Sequence, residues 1–329
     1  MSRAEVVAIA RKVAANPAVA EIRRAVREFL GPLSCDELNV AVSGGADSLA
    51  LAEATAHVGH KLGLAVRALV VDHGLQEGSA QVAADAAGAA RKLGVDTAEV
   101  LAVEVTGPGG PEAAARRARY AALASALSRP GAIVLLGHTR DDQAETVLLG
   151  LGRGSGPRSV AGMKPFDPPW GRPLLDVPRS VTREACRALG VEPWEDPHNS
   201  DPSFTRVRLR TEVLPLLEDV LNGGVAAALS RTAAQIREDL ETLDTLAADL
   251  DGILDVETLS TVPAALRRRV LRNWLLGAGA RDLTDAHLRS VDALIGRWRG
   301  QGGVWLPGNL VVTRTHGRLA MNRREPKGD

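Results

Sequence analysis

The residues best suited to chemistry in this chain are Ser43-Gly44-Gly45-Ala46-Asp47-Ser48. The two glycines admit backbone conformations closed to residues with a β-carbon. Successive amide N–H groups can then point into one concavity, at the positive end of a following helix. Ser43 and Ser48 flank it with hydroxyls, and Asp47 supplies a carboxylate where a phosphate-bound Mg²⁺ can sit. The segment is a cradle for a phosphate chain. It is not a Walker A loop, because no Gly-Lys-Ser/Thr follows at the required spacing.

A second chemistry-bearing segment is His138-Thr139-Arg140-Asp141-Asp142-Gln143-Ala144-Glu145-Thr146. On a helix, Asp142 and Glu145 share a face at i, i+3. Three carboxylates, Asp141, Asp142 and Glu145, near one strand end are costly to crowd without cations. Mg²⁺ or a substrate ammonium meets that need.

Both segments need a scaffold, and the first half of the chain supplies an alternation of strands and helices. Apolar runs at Leu38–Val42, Ala65–Val71, Ala98–Val105 and Ala132–Leu136 read as strands buried on both faces. Helices are expected at Ser48–Leu62, Ala80–Leu93, Glu112–Leu127 and Asp141–Leu151. The β-α-β order predicts a doubly wound parallel sheet with right-handed crossovers. Ligands bind such sheets at the carboxyl ends of strands. Ser43–Ser48, Asp72-His73-Gly74 and His138–Asp142 all fall there. Beyond a Gly/Pro-rich stretch from Gly150 to Trp170, helices are expected at Pro178–Leu189 and Thr205–Leu217. A boundary is expected at Asn222-Gly223-Gly224. After it come helices at Ala226–Leu250, Ala264–Leu276 and Asp285–Ile295, then a short β-rich end.

Composition narrows the classes further. The chain has 329 residues, 45% of them hydrophobic and only 3% aromatic, so Leu, Val and Ala must fill the core. No apolar run approaches a membrane span, and the first five residues lack the apolar core of a signal peptide. Cys35 and Cys186 form neither a C-x-x-C nor a zinc spacing, which fits a reducing, cytoplasmic setting. The formal net charge is zero but unevenly placed: residues 263–329 hold thirteen Lys/Arg against five Asp/Glu. A polyanion partner for this end is one reading, and a solvated basic surface is the other. Arg267, Arg268, Arg269 and Arg272 lie within two helical turns and are candidate phosphate contacts. For the nearby Trp274 and Trp298, core packing is favoured over base stacking.

The order Ser-Gly-Gly-x-Asp-Ser after a strand resembles the pyrophosphate loop of the N-type ATP pyrophosphatases, which cleave ATP between the α and β phosphates. The pattern His-x-x-Asp-Asp-x-x-Glu-Thr at 138–146, followed by Arg153-Gly154-Ser155-Gly156, is similar to the tRNA(Ile)-lysidine synthetase family within that superfamily. So are Ala115-Arg116-Arg117-Ala118-Arg119-Tyr120 on a helix, Arg172-Pro173-Leu174-Leu175 as a strand, and Trp194-Glu195-Asp196-Pro197-His198-Asn199. The segment Thr205–Arg210 departs from the family's Arg-Asn-x-x-Arg, with Val207 in place of Asn.

The resemblance implies a Rossmann-like sheet of the adenine nucleotide alpha hydrolase type in a catalytic domain at 1–220, with an N-terminal helix at about 1–33. A mostly helical, basic tRNA-binding domain would occupy 221–329. It implies ATP and Mg²⁺ as cofactors, and free L-lysine and the CAU-anticodon isoleucine tRNA as partners. The wobble cytidine would be adenylated and the lysine ε-amine would then displace AMP. Asp47, Asp142, Glu145 and Arg116 would be catalytic. Ser43 to Ser48 with Asp72, His73 and His138 would bind ATP. Asp142, Glu145 and Arg119 would bind lysine, Asp47 and Asp141 would hold Mg²⁺, and Arg206, Arg210, Arg267, Arg268, Arg269 and Arg272 would contact tRNA. No membrane is involved, and a homodimer is compatible with this reading. The alternatives within the superfamily are tRNA thiolation, which commonly uses reactive cysteines or an iron–sulfur cluster, and amide formation from ammonia.

Overall fold

The computed structural model describes residues 16–107, 110–154 and 156–323. The helix α1 (Pro17–Leu30) begins at an Asn16 cap, whose side chain accepts from the Ala18 and Val19 amides. The first half of the N-terminal helix expected at 1–33 lies outside the described residues. Then follow β1 (Leu38–Ala41), α2 (Ala46–Lys61), β2 (Val66–Asp72), α3 (Ser79–Lys92), β3 (Thr97–Ala102), α4 (Gly110–Ser125), β4 (Ile133–Leu135) and α5 (Arg140–Arg153). A short helix α6 (Pro157–Val160) precedes β5 (Phe166–Asp167), β6 (Trp170–Gly171) and α7 (Arg179–Leu189). The helix α8 (Thr205–Val220) contains a π-turn at Leu209–Val213.

These strands form one sheet in the order β3-β2-β1-β4-β6-β5, parallel except for the β5–β6 pair. The chain runs outward through β1, β2 and β3, then returns to place β4 on the other side of β1. That reversal is a topological switch point, so the crevice for a ligand lies above the carboxyl ends of β1 and β4. Alternate residues of the central strands serve two cores. Leu38, Val40, Val66, Ala68, Ile133 and Leu135 pack with α1, α2, α3 and α7 on one face. Ala41, Leu69, Val134 and Leu136 pack with Leu123 and Tyr120 of α4 on the other. Strands buried on both faces are why these runs read as continuously apolar.

The structure departs from the sequence reading at the end of this sheet. Arg172–Leu175, expected as a strand, is a turn, and the sixth strand is the preceding pair Trp170–Gly171. Arg172 is buried and donates to the Lys164 carbonyl (2.9 Å), so it braces this turn. The strands β5 and β6, two residues each, are too short to leave a periodic signal.

The described chain divides into two compact units. One runs to Arg153 and resumes over Val160–Ala233; the other comprises Gly154–Ser159 and the residues from Ala234 onward. Asn222, Gly223 and Gly224 form a turn with left-handed φ values of 59°, 87° and 80°. It leads into α9 (Val225–Ala248), within which the units divide. The second unit adds α10 (Val256–Thr261), α11 (Ala264–Gly277) and α12 (Asp285–Gly296). Its antiparallel sheet is β7 (Val304–Leu306), β8 (Leu310–Thr315) and β9 (Arg318–Arg323). Leu259, Val270, Leu271, Leu275, Val291, Leu294 and Val312 centre its core. The helix α10 was not foreseen; at six residues it is too short to show periodicity.

Among the described residues, no single helix is long and apolar enough to cross a membrane.

Candidate active site

The loop after β1 is built as its residues require. Gly44 has φ +84°, a left-handed conformation that glycine adopts without strain. The first intrahelical bond of α2 runs from Leu49 N–H to the Gly45 carbonyl (3.1 Å). The amides of Ala46, Asp47 and Ser48 therefore emerge at the helix's positive end, facing the crevice. Ser43 is exposed at its rim. Ser48 is placed differently from expectation. It is buried, accepts from Ser43 N–H (3.1 Å) and Ser43 Oγ (3.2 Å), and donates to the Gly45 carbonyl (2.9 Å). Its hydroxyl shapes the loop from within, and its backbone N–H is what it offers an anion.

Beside the loop lies a cavity of about 240 Å³, lined by Ser43, Val71, Asp72, His73, Arg119 and Trp194 among others. Trp194 is held there by its backbone, whose N–H donates to the Gly44 carbonyl (3.0 Å). Leu69 accepts from Val42 N–H (2.9 Å), so its peptide faces β1, whereas Asp72 accepts from Val103 N–H (2.9 Å) and faces β3. Strand alternation turns Val71 to the same side as Leu69, past the end of β1. Its amide and carbonyl thus meet the cavity as a donor–acceptor pair. Asp72 Oδ1 accepts from Gly74 N–H (3.0 Å) and fixes the bend that follows β2. The Nδ1 atoms of His73 and His138 are buried and make no hydrogen bond within the protein. Burial and the Arg119 charge lower the pKa of His73. Burial lowers that of His138 to about 3; Asp142 opposes this, and Arg119, Arg172 and Arg116 add to it. Both imidazoles are neutral at pH 7.

On the α5 side, Asp142 accepts from Thr139 N–H and Thr139 Oγ (both 2.8 Å). Glu145, with no side-chain exposure, receives a forked pair from Arg210 (2.8 and 3.3 Å). Arg206 stands 3.9 Å from the same carboxylate. Both arginines, expected as tRNA contacts, lie beside the acidic site, Arg206 with 38% and Arg210 with 31% of the side chain exposed.

The cation that these carboxylates require comes from a residue the motifs did not mark. Arg179, at the start of α7, places its guanidinium 3.3 Å from Asp47, 2.5 Å from Asp142 and 3.5 Å from Glu145. Its backbone N–H donates to Asp141 Oδ2 (2.9 Å). Asp141, expected beside Asp47 as a metal ligand, is therefore used to cap α7. One turn along, Thr182 Oγ donates to Asp47. Burial lowers the pKa of Arg179, but Asp142, Asp47, Glu145 and Asp141 outweigh it and raise it well above the usual range. Burial likewise pushes Asp142 up, yet Arg179 and the Thr139 hydrogen bonds hold it below the usual carboxylate range. For Asp47, burial prevails over Arg179 and Thr182, and its pKa is raised. The signal that could have found Arg179 was present: an unassigned arginine directly after Pro178 at a helix start, in a chain needing a counter-ion for crowded acids.

The other expected residues are spread around this centre. Arg119 lines the cavity. Arg116 is exposed and lies over the Tyr120 ring, 4.9 Å from its centroid. No group of three or more His, Cys, Asp or Glu side chains among the described residues converges as a metal site. Asp47 alone offers a carboxylate at the loop. That suits an ion such as Mg²⁺, which takes most of its ligands from phosphate and water.

In the second unit, Arg267 corrects an expectation. It is buried, ion-paired with Asp292 (2.6 Å), and donates to the Val262 carbonyl (3.1 Å). It supports the fold and cannot lie on RNA. Arg269 pairs with Asp244 (3.1 Å), Arg268 donates to the Ala264 carbonyl (3.0 Å), and Arg272 is half-buried. Trp274 packs against the core as expected. Trp298, for which packing was also favoured, is 39% exposed with Arg314 over its ring (5.1 Å).

Comparison with known proteins adds identity to this geometry. Residues 19–217 match the family model of a PP-loop domain, and residues 254–320 match that of the TilS substrate binding domain. The chain is 58% identical over 317 residues to the tRNA(Ile)-lysidine synthase of Rhodococcus jostii, covering 92% of this chain and 95% of that one. It is 58% identical to the Nocardia farcinica protein of the same name (92% and 98% covered) and 54% to that of Mycobacterium tuberculosis (94% and 98%). Among solved structures, the U34-tRNA thiolase NcsA from Methanococcus maripaludis with its [4Fe-4S] cluster superposes with a TM-score of 0.54. That match covers 67% of this chain and 80% of the thiolase at 17% identity, which establishes a shared fold.

Proposed function

The chain belongs to the tRNA(Ile)-lysidine synthase family, and on that premise we propose the reaction that its crevice performs. The enzyme is a ligase that forms a C–N bond. It joins free L-lysine to the wobble cytidine of the CAU-anticodon isoleucine tRNA at the expense of ATP. The modified base pairs with adenine, so the tRNA reads AUA rather than AUG and accepts isoleucine rather than methionine.

Adenine enters the cavity beside the loop, where the Val71 amide and carbonyl match the acceptor and donor on its pairing edge. The β and γ phosphates rest on the N–H groups of Ala46, Asp47 and Ser48. Mg²⁺ bound to those phosphates, with Asp47 as its protein ligand, would neutralise charge on the departing pyrophosphate. The cytosine ring oxygen attacks the α phosphorus and pyrophosphate leaves. Neutral His138 and His73 donate to or accept from phosphate or ribose without adding charge.

The ε-amine of lysine then attacks the ring carbon, and AMP departs with the oxygen. Asp142 is held ionised, which suits it to anchoring the ammonium before attack; Glu145 becomes available to the amine when Arg210 moves onto the substrate carboxylate. Arg119 and Arg116 stand on the cavity side as anion contacts. We assign residues 1–220 to catalysis and 221–329 to tRNA binding, with Arg268, Arg269 and Arg272 positioning phosphates.

What supports this reading most is the meeting of phosphate loop and amine-binding acids at one switch point, joined through Arg179. The test is direct. Purified protein, ATP, Mg²⁺, radiolabelled lysine and the CAU-anticodon isoleucine tRNA should yield labelled RNA, and Asp47→Ala should not. A requirement for ammonia or a sulfur donor in place of lysine would reject it.

A further inference from the structure

Three helix starts meet at Arg179. The loop helix α2 brings Asp47, α5 brings Asp141, Asp142 and Glu145, and α7 brings Arg179 itself. The α7 face is continuous: Arg179 and Thr182 both touch Asp47, and Cys186, a turn further on, approaches the Ala46 carbonyl (Sγ to O 3.4 Å). Its N-terminal end is fixed to α5 from both directions, by Arg179 N–H on Asp141 (2.9 Å) and by Arg140 N–H on the Val177 carbonyl (3.0 Å). Among the described residues, the Arg179 side chain is the one that bridges the two substrate half-sites, and it is 14% exposed.

We propose that Arg179 is a positioning residue for amine transfer, fixing Asp142 and Glu145 of the lysine half-site at a set distance from the Asp47 loop that holds the activated nucleotide. This rests on the lysine-ligation reading above. A planar guanidinium suits the task because its nitrogens engage several carboxylates in fixed directions, whereas an ammonium serves as a point charge. The partners are not equally dependent on it. Asp47 keeps Thr182 when Arg179 is removed, so adenylation should survive. Asp142 loses its 2.5 Å contact and keeps Thr139 on one oxygen, with Arg210 3.6 Å from the other. The oxygen that Arg179 held keeps only the longer Arg210 contact and is the one loosened. A misplacement of about 1 Å at a reacting group costs about 100-fold in rate.

The experiment separates the half-reactions. With Arg179→Gln, tRNA-dependent pyrophosphate release without lysine should stay within about threefold of the wild type. Single-turnover transfer of labelled lysine onto pre-formed adenylated tRNA should fall by about 100-fold, in kcat more than in the lysine KM. Arg179→Lys should restore part of that rate. An equal fall in both half-reactions, or no fall in the second, overturns the proposal. Melting curves and tRNA binding identify a variant that has failed to fold; in that event Arg179→Lys, which keeps the charge, carries the same test. If the wild type itself transfers no lysine, the ligation reading fails instead.

Discussion

Arg210 and Glu145, 65 residues apart in sequence, form a forked ion pair in which the carboxylate is wholly buried. The arginine is the exposed partner, at 31%, so it is the one able to move. Its nearness to the acids favours a role at the substrate site over the RNA contact expected from the sequence. Arg210→Ala should raise the lysine KM by about tenfold or more, on the order of the 1.5–3 kcal/mol of a hydrogen bond to a charged group. The slope of log Kd for tRNA against log salt should not change. Lysine-incorporation kinetics and filter binding across a salt series check both halves. A shallower slope with an unaltered lysine KM would return Arg210 to the RNA interface.

The arginines of α11 divide in the same way. Arg267 shares the inward i, i+3, i+4, i+7 face with Val270, Leu271 and Trp274, and its charge is spent on Asp292. Arg267→Ala should cost about 3–5 kcal/mol, because Asp292 loses its paired guanidinium in a poorly hydrated site. Denaturant melts measure it. Arg268→Ala with Arg269→Ala should cost little stability and reduce the salt slope of tRNA binding by about 1.4–1.8. An unaltered slope would make the cluster a solvated surface.

These contrasts mark where sequence reasoning ran out. The loop Ser43–Ser48 and the acids Asp142 and Glu145 were legible because their geometry is local: a glycine pair after an apolar strand, and two carboxylates one helical turn apart. The central strands were legible because burial on both faces leaves runs with no polar alternation; β3, also expected to be buried on both faces, is a mostly exposed edge strand. Arg179 was not legible, since it meets Asp47 across 132 residues and spacing along a chain does not report distance across a fold. Arg267 was misread for a different reason. Four arginines within two turns look like one patch until the apolar neighbours at helical spacing are counted. Ser48 shows a third limit, for a hydroxyl beside a phosphate loop can as easily fasten the loop as touch the phosphate.

Acid sensitivity follows from His138. Its pKa is lowered from 6.5 to about 3 in the folded protein, so it stays neutral where the unfolded chain takes up a proton. The unfolded state binds more protons between those values, and stability is lost as pH falls from 6.5 toward about 3. The limiting slope is about 1.4 kcal/mol per pH unit. Asp142, with its depressed pKa, acts in the same sense at the acid end, and Asp47, with its raised pKa, acts against it. Urea unfolding of the wild type and His138→Asn between pH 7 and 4.5 should show the variant gaining relative stability as the pH drops. Parallel curves would mean that His138 is protonated without penalty.

The last prediction concerns a residue with no side chain at all. Gly137 ends the apolar run of β4 against the first turn of α2. A β-carbon placed on it would lie 3.1 Å from the Asp47 carbonyl carbon and oxygen and from the Ser48 nitrogen. Those are backbone atoms of the phosphate cradle and cannot swing aside as a side chain can. Gly137→Ala should therefore push the loop amides off their aim and weaken ATP binding by about tenfold, or 1.4 kcal/mol. Gly171 supplies the control, because a β-carbon there would meet side-chain atoms of Leu135 and Phe29 at 2.7 Å. Gly171→Ala should overpack the core at a cost of about 1–3 kcal/mol and leave nucleotide affinity close to normal. Calorimetric titration with a non-hydrolysable ATP analogue, paired with thermal melts, distinguishes the two. Wild-type affinity in Gly137→Ala would show that the cradle tolerates a shift at its base, and would detach the close approach of β4 from the binding of ATP.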